Sequence, residues 1–241
     1  MRRLATMLTS VLLLAPAIVH AQTMSGECAP STRDSVGALV GALHGIAAAA
    51  PAPLPFHVAG LSDDKLAVAL RAYSRAQAAG IVKNPRLTII DYTQPSTSRR
   101  LFVIDPVTGR VLHRELVAHG RGSGDLNATA YGNVPDSFRT SLGVFRTAET
   151  YSGKHGYSLR LDGLEPGVNS NARDREIVMH AADYVSDAFI HQTGRLGRSE
   201  GCPALDPKVA KSVIDDVKGG SIIVSLGTDP SWIARSRFAH P

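Results

Sequence analysis

Apolar positions along this chain keep one period in its first third and another thereafter. Residues 32–49 place Val36, Leu39, Val40, Leu43 and Ile46 at helical spacing, and Pro51, Pro53 and Pro55 end that pattern. A second helical stripe, Leu66, Leu70 and Tyr73, follows Ser62 as predicted N-cap and Asp63 and Asp64 as first-turn acids, with Gly80 as its stop. From Arg86 onward the runs become short and rich in branched and aromatic residues. Residues 87–92, 101–104, 111–117, 143–147, 157–161, 176–180 and 221–226 read as strands, with Asp105 to Gly109 as a hairpin turn. Two long Gly- and Asn-rich loops, 119–141 and 162–175, separate them, and loops of that length in a domain commonly carry function. Asp206-Pro207 opens one late helix to about residue 217, and Gly219-Gly220 ends it. The pattern predicts a mainly β domain with accessory helices.

The start of the chain changes the picture of where such a domain works. Arg2 and Arg3 precede an apolar run from Leu4 to Val19, and Val19-His20-Ala21 ends in a small residue before Gln22. Those are the basic, apolar and cleavage regions of a signal peptide over residues 1–21. The run is short for a membrane span and contains Pro16, so no stable transmembrane anchor is expected. Residues 22–84 then read as a helical N-terminal extension, 85–226 as the β-rich body, and 227–241 as a C-terminal tail. Lys and Arg exceed Asp and Glu by five, and cleavage would remove Arg2 and Arg3. That mild excess, without a basic run interleaved with aromatics, argues against a nucleic-acid partner. With two cysteines, Cys28 and Cys202, disulfides do not build the fold.

Candidate chemistry concentrates around Cys202, set between Gly201 and Pro203 and downstream of His180 in Ile177-Val178-Met179-His180. A thiol attacks as thiolate, so it needs a base or a positive neighbour. Gly201 permits a tight turn that brings amides near a reacting carbonyl. From these residues alone, nucleophile and structural cysteine stand as equal readings.

Ser141-Leu142-Gly143-Val144-Phe145, Gly153-Lys154-His155-Gly156, Ile177-Val178-Met179-His180 and Arg198-Ser199-Glu200-Gly201-Cys202-Pro203-Ala204 together resemble the L,D-transpeptidase catalytic-domain family, more narrowly its murein L,D-transpeptidase subgroup. The resemblance implies an L,D-transpeptidase-like β-sandwich or barrel preceded by a short helical segment. It implies export to the periplasm or cell envelope, peptidoglycan stem peptides as partners, and no cofactor. Cys202 matches the family nucleophile, His180 its general base, Ser199 an organising hydroxyl, and Gly201 with Cys202 the turn whose amides help form an oxyanion hole. The thiolate would attack the carbonyl of the stem's third residue and release D-alanine. An amine acceptor then gives a cross-link; water gives an L,D-carboxypeptidase outcome. The chain departs from the family pattern at Glu200, where His is common, at Ala204, where Arg is common, and at Ala181, where many members have Gly. Another cation must then receive a substrate carboxylate, and Arg198 and Arg195 are nearest in sequence. His155 and Tyr184 are further cleft candidates, beside the plainer readings of a turn histidine and a core tyrosine. His191 reads as a surface residue of a polar loop.

Three rival chemistries remain in view. Gly197-Arg198-Ser199-Glu200-Gly201 has the form of a serine-hydrolase elbow, but His191 to Arg195 precedes it where a buried strand is required. His180, His191 and Cys202 match no standard zinc spacing, so no metal is expected. The third is a non-catalytic peptidoglycan-binding module that kept the fold. An oxidising compartment also permits a Cys28–Cys202 disulfide.

Overall fold

Residues 54–241 are described by a computed structural model; the helix expected at 32–49, the leader and Cys28 lie outside the described residues. Helix α1, Asp63–Ala78, starts where the sequence places it, with Ser62 extended at the N-cap position but without a capping bond from its side chain. Its buried face carries Leu66, Ala69, Ala72, Tyr73 and Ala76, which join the same apolar core as the strands.

The strands are β1 Leu87–Asp91, β2 Leu101–Ile104, β3 Val111–Glu115, β4 Val117–Ala118, β5 Gly143–Gly153, β6 Gly156–Gly163, β7 Val178–Ala181, β8 Ala204–Leu205 and β9 Ile222–Leu226. They form one sheet in the order β3-β2-β1-β9-β5-β6-β7-β8-β4. The outermost strands, β3 and β4, are consecutive in the chain with Leu116 between them, so the sheet curls back until its ends nearly meet. The pairings β1–β9 and β7–β8 are parallel and the others antiparallel. Strands β1, β2 and β9 are buried at every position, which explains their unbroken runs of branched and aromatic residues.

Helix α2, Asp187–Thr193, occupies the stretch expected as a polar loop. Ser186 accepts from the Phe189 amide at its start, and Gly194 closes it in the left-handed conformation. Helix α3, Pro207–Val217, has Asp206 accepting from the Lys208 amide and packs Ala210, Val213, Ile214 and Val217 into the core. Residues 227–241 carry the short helix α4, Ser231–Arg235, and bury Trp232, Phe238 and Ala239 in that core. Arg71 and Arg75 of α1 donate to carbonyls at Ala239 and Phe238.

Arg100 is wholly buried and, among the described residues, has no carboxylate within ion-pair distance. It donates to the carbonyls of Val117 and Gln94 and to Nδ1 of His119, and its guanidinium lies 4.9 Å from the Tyr92 ring centre. Burial lowers Arg100 to about 10 and His119 to about 4, the latter helped by the Arg100 charge. His119 is therefore a neutral ring at pH 7, accepting at Nδ1 and donating from Nε2 to the Gly124 carbonyl at 3.3 Å.

Candidate active site

Cys202 sits on a turn between the start of β8 and the loop after β4. Backbone from that loop grips the turn: Gly120 bridges to Ser199, the Ser199 amide donates to the His119 carbonyl at 3.0 Å, and the Arg121 amide donates to the Ser199 carbonyl at 2.7 Å. Thr140 closes the other side, accepting from the Gly120 amide at 2.9 Å and donating to the Gly201 carbonyl at 3.4 Å. Ser199, 5% exposed, spans the turn from within. Its hydroxyl accepts from the Gly201 amide at 3.1 Å and donates to the Cys202 carbonyl at 2.7 Å. Gly201 holds φ +126, and a Cβ there would lie 2.9 Å from both the Arg139 carbonyl oxygen and Ile177 Cδ1. The position demands glycine on conformation and on space.

The Cys202 sulfur faces the backbone leading into β7. It accepts from the Val178 amide at 3.4 Å, and its S–H donates to the Glu176 carbonyl at 3.6 Å. Burial pushes the thiol up, while the Val178 amide and the Arg175 charge pull it down and Glu200 and Glu176 oppose them. Glu176 itself has φ +52, an unusual conformation for a side-chain-bearing residue, so β7 begins at Val178 rather than at 176 as expected.

His180, two residues beyond Val178, pairs in parallel register with Ala204 and is 2% exposed. Its Nδ1 lies 2.8 Å from the Ala181 carbonyl oxygen. A carbonyl only accepts, so Nδ1 carries the proton and Nε2 keeps its lone pair. Burial lowers the pKa of His180, and the nearby His155 and Lys154 charges act in the same direction. Resting thiol and imidazole are therefore both neutral, which suits proton transfer during attack rather than a standing ion pair. His155, at the tip of the β5–β6 hairpin, stacks on His180 with ring centres 4.3 Å apart and planes at 29°.

The other expected residues divide. Tyr184 packs against the small cluster of Leu116, Ala118, Val185, Leu196 and Ala204, in space that a side chain at Gly197 would fill. Burial and the proximity of Cys202 push its hydroxyl up to about 12, so it stays protonated. Arg198 is turned to the 119–127 loop, donating to the Gly124 carbonyl at 3.2 Å and pairing with Asp125 at 2.7 Å. Arg195 donates to the carbonyl of its own neighbour Leu196. The cations expected from sequence proximity are thus committed elsewhere, and a guanidinium that packs on the thiol turn beside Gly201 is that of Arg175, which no motif in the sequence singles out. It lies at the end of a loop and 27 residues before the cysteine, so its position next to Glu176 and the strand of His180 is its one signal in the sequence. Ala204 is fully buried between β7 and β4, where an arginine would have no solvent to reach. Glu200 is exposed and pairs with Arg121 at 3.2 Å. His191 is exposed in the last turn of α2, a helix rather than the expected loop. The oxyanion reading also narrows. The Gly201 amide is held by Ser199, whereas among the described residues nothing accepts from the Cys202 amide. Among the described residues no cluster of three or more His, Cys, Asp or Glu side chains is placed to hold a metal ion.

No curated protein matches this sequence. Similar solved structures include an L,D-transpeptidase from Mycobacterium smegmatis, 17% identical over 59% of this chain and 59% of that one with a TM-score of 0.36. An L,D-transpeptidase (Yku) from Stackebrandtia nassauensis is 18% identical over 70% of this chain and 69% of that one, TM-score 0.36. L,D-transpeptidase 3 from Mycobacterium tuberculosis, in complex with a faropenem-derived adduct, is 12% identical over 58% of this chain and 60% of that one, TM-score 0.37. The chain thus spans 59% of the length of the first of these. Residues 58–226 match the family model described as the L,D-transpeptidase catalytic domain, and the chain belongs to that family.

Proposed function

We propose that this chain is an exported, cysteine-dependent acyltransferase acting on peptidoglycan stem peptides. The observation that carries this reading is the seating of the Cys202 sulfur on the backbone that runs into His180, with the proton of His180 fixed on Nδ1 and Nε2 left as acceptor. In the proposed reaction the thiol proton passes to Nε2 as sulfur attacks the carbonyl of the stem's third residue. The oxyanion that forms takes the Cys202 amide N–H as one donor. His180 then protonates the departing D-alanine nitrogen as the C–N bond breaks, leaving a thioester. An acceptor amine attacks the thioester, its proton goes to His180, and the thiol is regenerated when the imidazolium returns that proton to sulfur. Ser199 acts by holding the turn through its two hydrogen bonds, His155 covers the ring of His180, and Tyr184 lies near the thiol.

Mass spectrometry of tetrapeptide muropeptides incubated with the protein tests this reading. Wild type is expected to release D-alanine and form dimers, and Cys202→Ala to do neither. Release without dimers assigns the carboxypeptidase outcome instead, and release that survives in Cys202→Ala overturns the mechanism. Export to the periplasm or envelope rests on the leader over residues 1–21. N-terminal sequencing of protein recovered from the envelope fraction should begin at Gln22; an intact leader on cytosolic protein would overturn that part.

A further inference from the structure

Arg175 is half-buried and, among the described residues, has no carboxylate partner. Neutral acceptors hold it instead. One terminal nitrogen donates to the Gly132 carbonyl at 2.8 Å and to the Ser141 hydroxyl at 2.7 Å. The other donates to the Arg139 carbonyl at 2.6 Å and reaches the Ser137 hydroxyl at 3.5 Å. These bonds satisfy the fork geometrically but leave its positive charge uncompensated, and a partly buried charge without a counter-ion favours an anion brought beside it. The guanidinium packs on the thiol turn, 3.2 Å from where a Cβ of Gly201 would stand. The left-handed backbone at Glu176 directs Arg175 and the carbonyl that accepts the hydrogen bond of the thiol at the same turn. Strain of this kind, at a residue adjoining both the cation and the sulfur contact, is commonly retained where function needs it.

We propose that Arg175 is the charge that makes the Cys202 thiolate accessible: clamped to the 132–141 loop, it stabilises negative charge on sulfur during attack. This rests on the reading of Cys202 as nucleophile. The surrounding groups leave the role to Arg175. Glu176 and Glu200 are carboxylates that oppose a thiolate, Tyr92 and Tyr184 are protonated at neutral pH, and His180 is neutral at rest. Arg175 acts on the sulfur through space, and its clamping bonds position the charge.

The test is the pH dependence of Cys202 alkylation by iodoacetamide, followed on the Cys202 peptide by mass spectrometry in the full chain. Arg175→Gln is expected to slow alkylation about tenfold near neutral pH while reaching the wild-type rate at the alkaline plateau, an upward shift of about one unit in the midpoint. Arg175→Lys keeps the charge and gives up the fork, and its midpoint should stay within about 0.3 unit of wild type. An unchanged midpoint in Arg175→Gln, or a rate lowered equally at every pH, would overturn the proposal. If Arg175→Gln does not fold, Arg175→Lys decides: a retained midpoint supports the charge, and a full-unit rise sinks it. Alkylation requires no muropeptide turnover, so this proposal and the acyltransfer reading fail separately.

Discussion

The turn that carries Cys202 and the strand end that carries His180 lie side by side in the sheet, but they are held by different means. Backbone of the 119–121 loop, the Thr140 hydroxyl, the Arg175 fork and the internal Ser199 bonds all converge on the thiol turn. Beneath it the loop rests on the buried Arg100–His119 contact at 2.8 Å. Among the described residues, the His180 ring has one hydrogen bond, to the neighbouring carbonyl, and one stacking partner at a hairpin tip. Among the described residues, the side chains of Lys154 and His155 make no hydrogen bond or ion pair. In the proposed reaction, attack geometry is thereby fixed at the sulfur, where small displacements cost most. His180, which as the proposed base must only accept and return a proton, is tuned by what covers it.

If that contrast is right, damage to the thiol turn should be severe and damage at the hairpin tip slight. Gly201→Ala is the harshest test, because a Cβ would press on Arg139 and Ile177 at a φ that side-chain residues avoid. A loss of about 2–4 kcal/mol in stability and more than about 100-fold in kcat/KM is expected, read by urea unfolding and muropeptide turnover. A variant with near wild-type turnover would mean the turn is adaptable. The support under it is predicted to be acid-sensitive. His119 titrates at about 4 when folded against 6.5 in the unfolded chain, so between those values the unfolded chain binds the extra proton. Stability is therefore present above the unfolded value and lost as pH falls toward 4, by about 3 kcal/mol from this group. His180 contributes in the same direction. Urea midpoints at neutral and acid pH should diverge less in His119→Gln than in wild type; an equal divergence would remove His119 from the account. Next comes Ser199→Ala, which frees the Gly201 amide and the Cys202 carbonyl. About 1–3 kcal/mol of stability and about tenfold in kcat/KM are expected to go, with Ser199→Thr recovering most of both.

Sequence reading reached what local chemistry encodes. Branched and aromatic runs marked the strands because β1, β2 and β9 are buried on both faces. Asp206-Pro207 marked the start of α3 because cap and first turn are adjacent in sequence. Cys202 and His180 stood out because glycine and proline frame one and an apolar strand delivers the other. Elements made by long-range contact did not show. Strand β8 is two residues long and exists because β7 and β4 flank it. Helix α2 is seven residues long and buries none of them, so no stripe announced it; Ser186 and Gly194 were its signals. Residues 227–241 looked like a tail because single residues, Trp232 and Phe238, anchor them without a period. Nearness in sequence favoured Arg198 and Arg195, yet a loop that ends at the strand of the base delivers Arg175 to the thiol turn.

The smallest effect is expected at the hairpin tip, and its sign is what discriminates. His155 lies over a ring that is almost wholly buried, and burial is the main cause that lowers the pKa of His180. Removing the cover in His155→Ala admits water to the imidazolium and also removes a neighbouring charge of like sign, so both changes raise the pKa of the base. The acid limb of kcat/KM, which reports His180 losing its proton in the free enzyme, should then move to higher pH. Turnover at the optimum should fall less than about fivefold, since neither the sulfur nor Nε2 is displaced. The pH dependence of Cys202 alkylation in the same variant should stay at wild type, because Arg175 and the backbone donors on sulfur are untouched. A limb that moves to lower pH, or an alkylation profile that moves with it, would mean that thiol and base titrate as one unit. The contrast between a fastened nucleophile and a covered base would then not hold.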